Sequence, residues 1–205
     1  MNGLRISNLP VVSLDLETGG LIPGKHTPLS IGAVWMNCSH DAVTDKNSFY
    51  IQLEWDTVVV TPQALRINKL DIANPPGPQG VMTNRSCPAM EGIQQFQDWL
   101  IKHSTNKIYA LGINVGAFDL AMLSSVWRGN WPFHYRSIDL NSLFFALSQV
   151  QNKPFNVIKK EITEIAWKRS DFPGMKHNAL ADAWSNVYVW EECLRRFCGD
   201  CEVLC

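Results

Sequence analysis

The stretch Val11-Val12-Ser13-Leu14-Asp15-Leu16-Glu17-Thr18-Gly19-Gly20 decides the fold of this chain. It reads as a β-strand. Side chains alternate along a strand, so Ser13, Asp15 and Glu17 share one face while Val12, Leu14 and Leu16 line the other. Two acids on one face of an apolar strand are electrostatically costly, and something cationic should offset them. Hard divalent metals such as Mg²⁺ favour such oxygen ligands.

Working outward, short β-branched and aromatic runs predict further strands near 30–36, 48–54, 107–113 and 135–139. Helices are expected near 62–69, 88–103, 118–127, 140–150, 156–167 and 179–197. Apolar residues recur at helical spacing in three of them: Ala89, Ile93, Phe96 and Leu100; Leu140, Leu143, Phe144 and Leu147; Ile158, Ile162 and Ile165. Three strands first, then helices alternating with two more, indicate an α/β chain. Its mixed five-stranded sheet has three antiparallel strands followed by two parallel ones, with helices packed on its faces. Asn74-Pro75-Pro76-Gly77-Pro78-Gln79-Gly80 cannot be regular structure, because proline lacks the backbone donor and glycine is permissive. Residues 74–87 are read as a surface loop, either a solvated connector or the rim of a substrate groove. Of the eight tryptophans, Trp35, Trp99, Trp127, Trp184 and Trp190 fall in these elements and are read as core rather than as stacking platforms.

With 205 residues and 46% hydrophobic side chains, residues 1–205 are expected to form a single domain with a sizeable core. The formal net charge is -1, so the whole-molecule field offers no strong attraction for a polyanion. A nucleic-acid substrate would have to be held locally, which argues against a long-tract coat or a processive clamp. Met1 to Pro10 lacks a signal-peptide core, and no apolar run approaches the ~18 residues that span a bilayer. A cytoplasmic protein without membrane association is expected, with thiols reduced by default. Four of the six cysteines, Cys193, Cys198, Cys201 and Cys205, cluster at the C-terminus. Cys198-x-x-Cys201 could hold a metal or act in redox, but a second pair or a nearby histidine is missing. The plainer reading of 198–205 is a flexible, cysteine-rich helix end.

Two more acids sit where apolar residues dominate. Asp119 shares a helix face with Met122, Leu123 and Val126, although an acid in a first turn is also favoured by the helix dipole. Asp182 borders the apolar stripe Ala179, Ala183, Val187, Trp190 and Leu194, and could equally be a structural acid. Ala179, Ala181 and Ala183 are small enough for that helix to approach the sheet closely. His177 lies five residues before Asp182, in the loop after Pro173-Gly174; taken alone, such a histidine is usually structural or exposed.

Together, Asp15-x-Glu17, then Asp119, then His177 five residues ahead of Asp182 resemble the DEDDh branch of the DnaQ-like 3′-5′ exonucleases, which have a ribonuclease-H-like fold. The resemblance runs from Val11 to about Trp190. In the tyrosine branch the base stands four residues before the last aspartate; here that residue is Asn178, and the histidine position is filled by His177. Thr61 to Asn68 is similar to the family's short helix near the substrate, and Ser137 to Leu140 to its strand-to-helix step. The second motif departs from many relatives. Five residues rather than four separate Asn114 from Asp119, and Ile113 replaces a histidine; the spacing is closer to that of the oligoribonuclease-like members.

The resemblance implies hydrolysis of phosphodiester bonds at nucleic-acid 3′ ends, preferably of single-stranded DNA or RNA, releasing nucleoside 5′-monophosphates. Asp15, Glu17, Asp119 and Asp182 would hold two Mg²⁺ ions, for which Mn²⁺ would substitute, and His177 would take the proton of the attacking water. Substrate contacts would fall on Leu16, Thr18, Gly19, Asn68, Asn114 and Phe118, with core packing the alternative for Leu16 and Phe118. Many relatives are dimers, which raises a homodimer here too. The competing functional readings are a catalytically silent nucleic-acid-binding module of the same fold and a proofreading module associated with a polymerase.

Overall fold

The computed structural model describes residues 9–36, 44, 46–77, 84–169 and 176–198. The acid-bearing stretch is strand β1 (Val11–Thr18), and it runs through the middle of the sheet. β2 (Pro28–Trp35) pairs antiparallel with β1, and β3 (Ser48–Glu54) antiparallel with β2. Helix α1 (Pro62–Asn68) follows, then β4 (Ser86–Pro88), parallel to β3 at the sheet edge. On the other side of β1, β5 (Tyr109–Gly112) and β6 (Ile138–Asp139) continue the sheet in parallel. The remaining helices are α2 (Ala89–His103), α3 (Asp119–Val126), α4 (Leu140–Val150), α5 (Phe155–Arg169) and α6 (Ala179–Cys198).

The strand order is β4-β3-β2-β1-β5-β6, so the sheet has six strands rather than the expected five. The additional one is β4. It holds three residues, ends in proline and is partly drawn from the stretch read as a loop. So short an element shows no alternation to detect, and Pro88 is tolerated there because an edge strand need not donate on both sides. Ser86 and Cys87 are nevertheless buried.

The alternation read from β1 governs both faces of the sheet. Val12, Leu14 and Leu16 pack with Ile31, Ala33, Phe49 and Ile51 beneath α2 and α3, in a core that includes Phe96, Trp99 and Met122. Val11, Val34, Tyr50 and Leu111 pack on the other face with α4, α5 and α6, around Phe144, Ile158, Ile162 and Trp184. Trp35, Trp99 and Trp184 are buried, and Trp127 and Trp190 pack partly buried against the two cores. Fully burying one large apolar side chain contributes roughly 1.5–3 kcal/mol, so α6, which buries Leu180, Trp184, Val187 and Val189, is held firmly to the sheet. Cys193 lies in this core, so the thiol cluster does not begin in a frayed end; Cys87 is buried and Cys198 exposed. Cys38, Cys201, Cys205 and Pro173-Gly174 lie outside the described residues. Among the described residues, no helix is long and apolar enough to cross a membrane.

Candidate functional site

The polar face of β1 is the face on which α6 lies. Gly32 stands directly opposite Asp15 in the β1–β2 ladder. A Cβ at Gly32 would lie 2.0 Å from the carbonyl carbon of Ala179 and 2.2 Å from the Leu180 nitrogen. The first turn of α6 therefore rests on bare strand backbone, as its small residues allow. Two hydrogen bonds fix the rotation of the helix: Ser13 Oγ donates to the Ala183 carbonyl at 2.7 Å, and Trp184 Nε1 donates to Ser48 Oγ at 3.1 Å. With Ala183 and Trp184 held this way, Asp182 reaches the strand end that carries Asp15 and Glu17.

Asp119 arrives from the other side, at the start of α3 and just after β5. It is buried, and its Oδ1 accepts a hydrogen bond from the Leu16 N–H at 2.9 Å. That bond spans 103 residues of sequence and ties the carboxylate to the β1 backbone at the residue between Asp15 and Glu17. The site thus forms where parallel β1 and β5 end and two helices begin, which is where α/β sheets commonly place ligands.

His177 precedes α6 with φ +66°, an uncommon left-handed conformation for a non-glycine residue. Its backbone N–H donates to Asp182 Oδ2 at 2.9 Å. One ring nitrogen of His177 and one carboxylate oxygen each from Glu17 and Asp182 lie within 4.8 Å of one another. Asn178 serves the helix instead, since its Oδ1 accepts from the N–H groups of Leu180 and Ala181 and so caps α6.

Electrostatically, this is a cluster under strain. Burial, then the charges of Asp119, Asp182 and Glu17, raise the Asp15 carboxyl well above the ordinary aspartate range. Burial, then Asp182 and Asp119, push Glu17 from 4.5 up to about 8. Burial lifts Asp119 to about 7 against its hydrogen bond from Leu16, with Asp139 adding to the rise. Burial lifts Asp182 to about 6, opposed by the His177 N–H and by the Lys176 ammonium. Carboxylates that repel one another this strongly are stable as anions only with cations among them, and a set of carboxylate oxygens beside one imidazole suits a hard divalent metal. The chemistry of the donors therefore fits a metal centre.

The other sequence-derived candidates divide. Thr18, Gly19 and Asn68 meet at the end of β1. Asn68 Nδ2 donates to the Thr18 carbonyl at 3.3 Å, and the Thr61 N–H donates to the Gly19 carbonyl at 2.7 Å. Gly19 is required there, since a Cβ would stand 2.3 Å from the Val59 carbonyl oxygen. Asn114 is exposed, with φ +59°. Its N–H donates to Asp139 Oδ1, and its Oδ1 accepts from Asn141 Nδ2 at 2.7 Å. Leu16 is buried in the core under α2 and α3, and the half-buried Phe118 packs against that core. Two contributors escaped sequence reading. Asp139 caps α4, accepting from the Asn141 N–H at 2.9 Å, and presses on Asp119. Lys176 is the cation that acts on Asp182. An aspartate just ahead of a helix was a legible signal for the first; adjacency to His177 was the only one for the second.

The family model described as Rv2179c-like, 3′-5′ exoribonuclease Rv2179c-like domain, matches residues 11–194. The curated 3′-5′ DNA exonuclease Cap18 of Escherichia coli is 26% identical over 143 residues, 67% of this chain and 68% of that protein. Among solved structures, the zinc-bound complex of E. coli exonuclease I with single-stranded DNA superposes with a TM-score of 0.56 at 15% identity over 93% of this chain. The cell-death related nuclease 4 superposes with a TM-score of 0.58 at 15% identity over 90% of it. The chain spans 41% of the exonuclease I chain and 63% of the nuclease 4 chain. At that identity the likeness is one of fold.

Proposed function

We infer the function from one premise: the chain belongs to the Rv2179c-like 3′-5′ exoribonuclease domain family, and it is a 3′-5′ exonuclease acting on nucleic acid. We propose that Asp15, Glu17, Asp119 and Asp182 hold two Mg²⁺ ions, replaceable by Mn²⁺. His177 is the general base, and the substrate is the 3′ end of single-stranded DNA or RNA. The observation that carries this reading is the convergence of four carboxylates from β1, α3 and α6, each lifted in pKa by its setting.

Bound divalent cations would supply the Lewis acidity that activates water and offsets charge developing on the phosphate. The residues of the chain do the rest. His177, ring exposed beside Glu17 and Asp182, takes the proton of the attacking water, a role suited to imidazole near neutral pH. The hydrogen bond from its own N–H to Asp182 couples the position of the base to that of the acid. Thr18, Gly19 and Asn68, buried at the end of β1, and the exposed Asn114 flank the place taken by the terminal sugar and phosphate. The product is a nucleoside 5′-monophosphate.

The family description points to RNA and the curated relative to DNA. Matched DNA and RNA oligonucleotides labelled at the 5′ end, incubated with Mg²⁺ or Mn²⁺, separate the two and report polarity. Asp15→Asn and Asp182→Asn should abolish shortening from the 3′ end while each protein stays folded. Activity near the unsubstituted level in both would overturn the site assignment, and a folded wild-type protein inactive on both substrates would favour a silent binding module.

A further inference from the structure

Among the described residues, one buried side-chain polar atom has no hydrogen-bond partner: Ser30 Oγ. Ser30 is wholly buried and stands directly opposite Glu17 in the antiparallel β1–β2 ladder. Residues paired this way point to the same face, with Cβ atoms about 4.5–5.5 Å apart. A serine hydroxyl can therefore swing onto the glutamate carboxylate by rotation about χ1. On its other flank Ser30 pairs with Gln52, whose side-chain nitrogen is committed to the Asp71 carbonyl at 2.9 Å.

One step along the sheet lies Tyr50, 1% exposed and opposite Gly32. Burial pushes its phenol up to about 12; the Ser30 hydroxyl opposes that rise and the charge of Glu17 adds to it. The two hydroxyls are thus neighbours of each other and of Glu17, though Ser30 and Tyr50 fall short of hydrogen-bonding geometry. A buried hydroxyl without a partner costs about 1–3 kcal/mol, and native structures rarely keep one without a reason.

We propose that Ser30, backed by Tyr50, is a positioning residue for Glu17 in the cation-loaded site: Tyr50 donates its hydroxyl proton to Ser30 Oγ, and Ser30 donates its own to the Glu17 carboxylate. This rests on the metal-dependent reading given under Proposed function. A hydrogen bond from Ser30 to a carboxylate that holds a cation is charge-assisted, roughly twice as strong as a neutral one. Carboxylates that hold metals are commonly oriented by such outer hydrogen bonds, and removing one typically costs about 10–100-fold in metal affinity or activity.

The test is calorimetric titration of the full chain with Mn²⁺, using wild type, Ser30→Ala and Tyr50→Phe, alongside melting in chelator. Ser30→Ala should melt in chelator at or slightly above the wild-type temperature, because it deletes an unpartnered hydroxyl, yet bind Mn²⁺ about tenfold more weakly. Tyr50→Phe should weaken binding in the same direction by a smaller factor. If Ser30→Ala melts early in chelator, Tyr50→Phe decides by the same titration. Wild-type affinity in Ser30→Ala, or in Tyr50→Phe where that variant decides, overturns the proposal while leaving the metal site intact. Failure of the wild-type protein itself to bind Mn²⁺ overturns both the proposal and the reading beneath it.

Discussion

Removing one negative charge from the acid cluster should stabilise the metal-free protein, and Asp119→Asn is the cleanest way to do it. Asparagine keeps the Oδ1 that accepts from the Leu16 N–H and deletes only the charge. Each raised carboxyl binds its proton more tightly folded than unfolded. Folding is therefore favoured while the proton is on, and that stability is lost as pH climbs from the ordinary carboxylate range through the folded values of about 6, about 7 and about 8 for Asp182, Asp119 and Glu17. At about 1.4 kcal/mol per pH unit, the rise of Glu17 from 4.5 to about 8 corresponds to at most about 5 kcal/mol, and that of Asp119 from 3.8 to about 7 to about 4 kcal/mol. These ceilings overlap, because the carboxylates repel one another. We expect the wild type in chelator to lose at least about 2 kcal/mol between about pH 5.5 and 8.5, which lowers Tm by about 4–8 °C in a chain of this size. Asp119→Asn should melt higher than wild type at the upper pH, match it more nearly at the lower, and show a shallower slope between. Added Mn²⁺ should raise the wild-type Tm at pH 8.5 and that of the variant far less. A wild-type Tm that is flat or rises with pH in chelator, or a variant without gain at pH 8.5, would refute the electrostatic account.

Two further outcomes are expected. His177→Ala should lower the rate of oligonucleotide shortening by about 10²–10⁴ while leaving Mn²⁺ affinity within a few-fold, measured by steady-state kinetics beside calorimetry; an unchanged rate removes its role as base. Gly32→Ala sets a methyl 2.0 Å from the Ala179 carbonyl carbon, backbone that cannot swing aside. It should cost about 1–3 kcal/mol or more in denaturant unfolding and depress activity by moving Asp182; wild-type stability and rate together would show that α6 does not rest on this strand as described.

Much of the architecture is legible in the chain itself. Period-2 alternation in Val11 to Glu17 and 3.6 periodicity in α2, α4 and α5 depend on near neighbours, so they give element type and place the acids of β1 opposite the apolar core. The helix carrying Asp182 could be read as one that packs closely, because Ala179, Ala181 and Ala183 leave no bulk to hold it away. β4 was invisible, since three residues at an edge carry no period. The assignment of Leu16 and Phe118 was ambiguous for a related reason: an apolar residue beside an acid serves core or substrate equally well until the face it turns to is known. Leu16 lies in the core, and the half-buried Phe118 packs against it.

What the sequence by itself determined is the order of the four carboxylates and the histidine proposed as ligands and base, and the elements that carry them, because these follow from local pattern and motif spacing. Only the tertiary structure decided that Asp119 docks on the Leu16 N–H, that Gly32 admits α6 onto β2, and that Asp139, Lys176, Ser30 and Tyr50 bear on the same cluster. The physical reason is range. Those relations join residues far apart along the chain, and electrostatic and packing energies depend on distances that exist only once the sheet has brought the strands together.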